Sequence, residues 1–135
     1  MVAEARSAEA DGFDSFWAPN IFGQDAITCL AIAGREVPRI ELGTSVVPTY
    51  PRHPHAIAQQ AHTAAAASGN RFTLGIGLSH RIVIENMLGM SYDKPVRHLR
   101  EYLSVLMPLS RNEAASFAGE TYSVHGGIAA KGSNG

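Results

Sequence analysis

Cysteine is nearly absent from this sequence of 135 residues, which contains only Cys29. A single cysteine cannot form a disulfide within the chain. Cys29 lies in the apolar run 26–32, where it is best interpreted as a small buried hydrophobic residue. The sequence therefore gives no indication of a fold stabilised by disulfides.

Clusters of basic residues and long apolar runs are also missing. The formal net charge is −1, and no run of Lys or Arg forms the dense basic patch that nucleic-acid binding requires. No stretch approaches the roughly 18 consecutive apolar residues of a membrane span, and the first twelve residues lack an apolar signal region. We expect a cytoplasmic protein with neither nucleic acid nor membrane as a partner.

Helical and strand patterns alternate along the chain. Each predicted strand is short, apolar and rich in β-branched or aromatic residues, and each predicted helix begins near Asp or Pro or ends near Gly. The predicted order is helix 2–10, strand Phe13–Trp17, helix from 24 or 25 to 34, strand Ile40–Val47, helix 54–67, strand Phe72–Leu78, helix 93–107 and a weak strand 119–124.

This order predicts right-handed βαβ units in a parallel α/β sheet, with the Ile40–Val47 strand buried on both faces. An open doubly wound sheet and a (β/α)₈ barrel both satisfy it. A complete barrel needs about 250 residues, so only part of one could be present. We divide the chain into a domain of residues 1–125 and a glycine-rich tail, 126–135, that we expect to be disordered.

Ligands of parallel α/β folds bind at the carboxyl ends of the strands. Three such ends are predicted, at residues 17–20, 44–49 and 77–80. The ends at 44–49 and 77–80 carry hydroxyls, glycines and an imidazole instead of paired carboxylates. This composition favours a cofactor-binding site over a site for acid hydrolysis.

Two other patterns are weaker. Gly75-Ile76-Gly77 lacks the third glycine of a dinucleotide fingerprint and lies inside a strand, so we reject a Rossmann site. His53 and His55 have a spacing that could bind a metal, but no Cys or carboxylate nearby completes a ligand set, and we predict no metal site.

Several stretches resemble the luciferase-like monooxygenase family, in particular its branch that uses the deazaflavin coenzyme F420. The resemblance spans most of residues 3–124, and it is carried by Asp11-Gly12-Phe13-Asp14-Ser15-Phe16-Trp17, Leu42-Gly43-Thr44-Ser45-Val46, Arg52-His53-Pro54, Asn70-Arg71-Phe72-Thr73-Leu74-Gly75-Ile76-Gly77-Leu78-Ser79-His80 and Arg100-Glu101-Tyr102-Leu103. It implies a partial (β/α)₈ (TIM) barrel with strands 2–4 and their helices, lacking strand 1 and strands 5–8.

The resemblance also implies a cofactor site. A non-prolyl cis peptide would fall at or next to Ser45-Val46, with an ordinary trans strand end as the alternative. The cofactor-binding residues would be Asn20, Thr44, Ser45, Val46, Gly77, Ser79 and His80, with His80 as a hydrogen-bond donor. Asn20 departs from the acidic residue or histidine of several deazaflavin enzymes, and because an amide cannot take up a proton, it is expected to position ligands. No catalytic residue is assigned.

The implied activity is hydride transfer between reduced F420 and a small organic substrate. An FMN-dependent monooxygenase of the same family is the alternative, and a truncated, inactive fragment that only self-associates is the alternative from another class. Exposed strand edges favour self-association, and homodimers are common in the family, so we predict a homo-oligomer.

Overall fold

The computed structural model describes residues 1–134, and its centre is a set of parallel strands. β1 (Ser15–Ala18), β2 (Glu41–Thr44) and β4 (Phe72–Thr73) form one sheet in the order β1-β2-β4. Beyond a break, β3 (Val47–Pro48) pairs in parallel with β5 (Ile76–Gly77). The α/β prediction is confirmed, and the self-association predicted from exposed edges, which here include β1 and β4, stays a prediction.

Two of the predicted continuous strands are therefore interrupted. The Ile40–Val47 strand is split at Ser45-Val46, and the Phe72–Leu78 strand is split at Leu74-Gly75. The first strand lies slightly later than predicted, at 15–18. Apolar composition runs through both interruptions, so hydrophobicity alone could not reveal them.

Helices cover one face of the strands. They are α1 (Val2–Ala10), α2 (Ala26–Glu36), α3 (Pro54–Ala67) and α4 (Pro95–Ser110), and a π-helical turn spans Val83–Met87. The Asp25 carboxylate caps α2 by accepting the Thr28 N–H, as the sequence predicts. The helix predicted at 93–107 begins two residues later, at Pro95, and Lys94, in a left-handed conformation, precedes it without a side-chain cap.

The core has two parts. One packs α1 and α2 against β1 and β2 through residues such as Leu30 and Leu42, and the other packs α3 against α4 through Ile57, Tyr102 and Leu109. On the opposite face of the sheet, the Trp17 indole covers Gly43, where a Cβ would lie 2.3 Å from the ring. Burial of β2 on both faces is thus confirmed from Leu42 to Thr44, while Glu41 is exposed.

The weak strand predicted at 119–124 is a hairpin of β6 (Ala115–Ala118) and β7 (Ser123–Gly126). Residues 119–122 form its turn instead of a strand. The Glu101 carboxylate on α4 accepts the backbone N–H groups of Glu120, Thr121 and Tyr122 at 3.1, 2.7 and 3.1 Å. This anchor comes from a distant residue and leaves no local sequence pattern.

The described part of the glycine-rich tail lies against the helices. His62 is buried on α3, and its ring bonds both the Ser133 hydroxyl and the Leu109 carbonyl at 2.8 Å. The Asn134 N–H donates to the Asn70 side chain at 2.9 Å. The disorder expected for 126–135 stays a prediction. Across residues 1–134, we find no helix with both the length and the apolar character to traverse a bilayer.

Arg71 joins the end of α2 to the sheet. Its guanidinium donates to the carbonyls of Ile40, Gly34 and Val37 at 2.6, 3.0 and 2.8 Å. Two of these carbonyls lie at the carboxyl end of α2, where helix carbonyls have no intrahelical donor. Arg71 supplies the missing donors.

We expect Arg71→Met to lower the free energy of unfolding by about 2–4 kcal/mol, because partly buried carbonyls lose charged donors. Urea denaturation checks this. Arg111→Met is the matched control, since Arg111 is exposed and, among residues 1–134, its guanidinium pairs only with Glu113. Equal stability losses in the two variants would contradict the assigned role.

Candidate functional site

A cleft of about 900 Å³ opens at the carboxyl ends of the strands. Segments that follow β1, β2 and β5 form it, as expected for a parallel α/β fold. Its walls are mainly apolar, and its lining consists of Pro19, Asn20, Ile21, Phe22, Gly23, Ser45, Val46, Pro48, Pro51, Arg52, Ser79, His80, Val83, Ile84, Met87 and Leu88.

The break between β2 and β3 lies beside the cleft. The Thr44 hydroxyl, which is buried, donates to the Gly75 carbonyl and accepts the Gly75 N–H, both at 2.8 Å. The Ser45-Val46 peptide that follows is cis, as the family resemblance implies. Beyond it, the Val47 N–H donates to the Gly75 carbonyl at 2.9 Å, so a single residue of the neighbouring strand is bonded on both sides of the break.

Two glycines of the neighbouring strand make room for this arrangement. A Cβ at Gly75 would lie 2.0 Å from the Thr44 carbonyl oxygen, and a Cβ at Gly77 would lie 2.5 Å from Val46 Cγ2. Side chains at 75 or 77 would therefore displace the break. Val46 itself lines the cleft and is 42% exposed.

Ser79 and His80, which follow β5, also line the cleft. Ser79 has φ = +64°, and its carbonyl accepts the Tyr92 hydroxyl at 3.1 Å. The His80 carbonyl accepts the N–H groups of Val83 and Ile84, which begins the π-helical turn. The His80 side chain is exposed, and no hydrogen bond to its imidazole occurs among residues 1–134, so the ring can address a ligand.

Asn20 lines the cleft but is partly committed to the protein. Its Oδ1 accepts the Ala26 N–H at 3.0 Å, which satisfies a free donor at the start of α2. Its amide N–H₂ is left to donate to a ligand. This contact fits the positioning role expected of an amide at this place.

Arg52 is a cleft residue that the sequence did not single out. Its guanidinium pairs with the Asp25 carboxylate, and both side chains are partly exposed. Burial raises the pKa of Asp25, but hydrogen bonds from Thr28 and the charge of Arg52 outweigh it and hold this pKa below its usual value. The one available signal was the position of Arg52 after a strand end, within the stretch that carries the family resemblance.

Aromatic residues support the segment that carries Arg52. The His98 ring stacks on Tyr50 with centroids 4.0 Å apart, and its Nε2 lies 2.9 Å from the Thr49 hydroxyl. The Tyr102 hydroxyl donates to the Arg52 carbonyl at 3.0 Å. Helix α4 thereby holds residues 49–52 at three points.

The structure brings most of the predicted site residues together. The cleft lining includes Asn20, Ser45, Val46, Ser79 and His80 but not Thr44 and Gly77. Thr44 and Gly77 instead shape the break between β2 and β3, Thr44 by bonding the Gly75 backbone and Gly77 by leaving room for Val46. That these residues bind a cofactor stays a prediction. In the described chain no three His, Cys, Asp or Glu side chains gather into a metal site, and His53 instead accepts the His55 N–H at the start of α3.

The sequence profile of luciferase-like monooxygenases matches residues 1–133. A protein of Mycobacterium tuberculosis named as a coenzyme F420-dependent oxidoreductase is 37% identical over 117 residues. That match covers 86% of this chain and 34% of the relative, so the chain spans about a third of the relative's length.

Solved structures share the fold. The coenzyme F420-dependent tetrahydromethanopterin reductase of Methanopyrus kandleri matches with a TM-score of 0.82 and 20% identity, covering 96% of this chain and 42% of that one. The oxygenating constituent of 3,6-diketocamphane monooxygenase of Pseudomonas putida, in complex with FMN, matches with a TM-score of 0.83 and 17% identity, covering 99% and 42%. The predicted partial luciferase-like (β/α)₈ barrel is confirmed.

We expect Thr44→Val, which keeps the shape of the side chain, to lower the free energy of unfolding by about 1–3 kcal/mol. The reason is that the Gly75 N–H would lose its partner and the Gly75 carbonyl would lose one of its two donors, keeping the Val47 N–H. Urea denaturation measures the change. Thr63→Val is the control, because Thr63 is exposed and its hydroxyl bonds the Gln59 carbonyl of its own helix and no other group in the described part of the chain. A loss no larger than in the control would contradict the role of this bridge.

Burial of His98 leads us to predict that the free energy of unfolding depends on pH. Burial lowers the pKa of its imidazole, and the Glu101 carboxylate opposes that shift only partly. As the pH falls through the unfolded value of about 6.5, the unfolded chain therefore takes up a proton that the folded chain resists. Stability from this residue is present above that pH and is lost on acidification.

We expect urea denaturation to show lower stability at pH 5.5 than at pH 7.5, with a smaller decrease in His98→Phe. Phenylalanine keeps the ring that packs on Tyr50 and removes the titration. An equal decrease in both proteins would assign the effect to other groups.

Proposed function

This chain belongs to the luciferase-like monooxygenase family, and we propose that it forms the cofactor-holding part of an F420-dependent oxidoreductase. The proposed reaction is hydride transfer between the reduced deazaflavin and a small organic substrate. The observation that carries the proposal is the cleft itself, in which five predicted cofactor residues meet at the carboxyl ends of the strands. The similarity to an F420-dependent relative supports it.

The cleft suits a flat, largely uncharged ring. Its volume of about 900 Å³ lies within the range of cofactor sites, and apolar side chains line most of it. Arg52 brings a positive charge to the lining, but Asp25 neutralises it. A neutral ring therefore meets no uncompensated guanidinium charge there.

Polar groups at the rim give the ring an orientation. In the proposed complex the His80 imidazole and the Ser79 hydroxyl would donate to the ring, and Val46, which also lines the cleft, would pack against it. The bound deazaflavin would supply the hydride chemistry, and the chain would orient its reactive face and limit access of water. Asn20 would orient a ligand through its free N–H₂ group, because an amide cannot exchange a proton at neutral pH.

FMN is the second candidate cofactor. The structural match to a monooxygenase in complex with FMN extends over nearly the whole chain, so the same fold occurs in a protein that holds a flavin. A flavin and a deazaflavin share the tricyclic shape that the apolar lining would recognise. The alternative function is therefore an FMN-dependent monooxygenase.

Titration of the 135-residue chain with oxidised F420 and, separately, with FMN tests the proposal, with cofactor fluorescence and calorimetry as independent signals. We expect saturable binding of F420 in preference to FMN. His80→Ala should weaken it about threefold to tenfold, because one hydrogen bond is lost.

His125→Ala is the matched control, since His125 is an exposed residue of the β6–β7 hairpin. Preference for FMN would favour the monooxygenase. Binding of neither cofactor by a folded sample would favour the inactive, self-associating chain.

A further inference from the structure

Residues 19–25, which we name the β1 loop, connect β1 to α2 and form one wall of the cleft. Both ends of this loop are fixed to the first turn of α2. Asn20 accepts the Ala26 N–H at 3.0 Å, and Asp25 Oδ2 accepts the Thr28 N–H and hydroxyl at 2.8 and 2.7 Å. Between these anchors lies the tip, Ile21-Phe22, whose side chains are both 66% exposed and line the cleft.

The Asp25–Arg52 ion pair joins the β1 loop to the segment after β3. The two oxygens of Asp25 divide their roles, with Oδ2 capping α2 and Oδ1 pairing with Arg52 Nη2. The Arg52 side chain is 20% exposed and the Asp25 side chain 28%. The pair therefore crosses between two neighbouring loops near the mouth of the cleft.

Arg52 is itself held firmly. The Tyr102 hydroxyl on α4 donates to its carbonyl, and the neighbouring Thr49 and Tyr50 contact His98 on the same helix. Residues 49–52 thus provide a rigid support. Among residues 1–134 the β1 loop has no comparable support, because its tip is exposed and the Asn20 and Asp25 side chains hold it to α2 at its two ends.

We propose that the Asp25–Arg52 pair is a positioning device for ligand recognition, which holds the β1 loop so that Ile21 and Phe22 form an apolar wall of the cleft. The ligand it serves is the flat ring of the cofactor, and this assignment rests on the proposed function. Arg52 acts through the loop and does not contact the ring. A partly exposed ion pair of this kind contributes little to global stability, so its effect should appear in the loop and in binding.

The variant Asp25→Asn removes the ion pair and keeps the helix cap, so it tests the first without the second. Asparagine caps helices about as well as aspartate, so the variant keeps the bond to Thr28 and loses the charge that pairs with Arg52. The ligand-free measurement is the methyl order parameter of Ile21 by NMR, which reports motion of the tip. The binding measurement is the Kd for oxidised F420.

We expect Asp25→Asn to lower the Ile21 order parameter and to raise the Kd about threefold to tenfold, with a thermal midpoint close to that of the parent chain. Arg52→Met should have the same effects, and the double variant should be no worse than either single variant. Glu36→Gln is the matched control, because it removes the exposed Arg6–Glu36 pair between α1 and α2, away from the cleft.

Unchanged Ile21 motion and Kd in Asp25→Asn would overturn the proposal. Weakened binding in Arg52→Met but not in Asp25→Asn would also overturn it, since Arg52 would then contact the ligand directly. A tip that loosens in Asp25→Asn, in a chain that binds neither F420 nor FMN, would support the positioning role and reject the proposed function.

Discussion

The bridge between the Thr44 hydroxyl and the backbone of Gly75 is the interaction on which the cleft depends. At this point two neighbouring parallel strands leave their regular pairing together, and a buried hydroxyl supplies the acceptor and donor that the ladder no longer provides. Because Gly75 has no side chain, Thr44 can approach its backbone this closely. The pairing then resumes with β3 and β5, and Val46 is left facing the cleft.

Much of the fold follows from sequence periodicity. The four helices and the three strand regions were predictable because a parallel sheet covered by helices imposes long apolar repeats and short turns. The interruptions at Ser45-Val46 and Leu74-Gly75 were not predictable from those patterns, since their residues stay apolar or small throughout. The hairpin at 115–126 was misread for a related reason: its turn is held by Glu101, about twenty residues earlier in the chain.

The candidate site likewise combines features that sequence patterns predict with features that they do not. Strand ends located Asn20, Ser45, Val46, Ser79 and His80, because the carboxyl edge of a parallel sheet collects the residues that follow each strand. The family resemblance added the cis peptide, which no composition rule would suggest. The sequence did not single out Arg52, because its proposed role depends on an ion pair with Asp25. That residue is 27 positions away, and the local sequence pattern indicates only that it caps a helix.

The charges and polar atoms around the cleft are largely used within the protein. Asn20 Oδ1 and Asp25 Oδ2 accept N–H groups of α2, Asp25 Oδ1 pairs with Arg52, and the Ser79 carbonyl accepts from Tyr92. Each of these bonds fixes a loop. Each also occupies a polar group that could otherwise bind a ligand. A mainly apolar cleft results, in which the His80 imidazole and a few N–H and O–H donors are left to orient the proposed flat ring. Loop order and the proposed ligand preference thus have one physical origin, the internal satisfaction of polar groups at the ends of the strands.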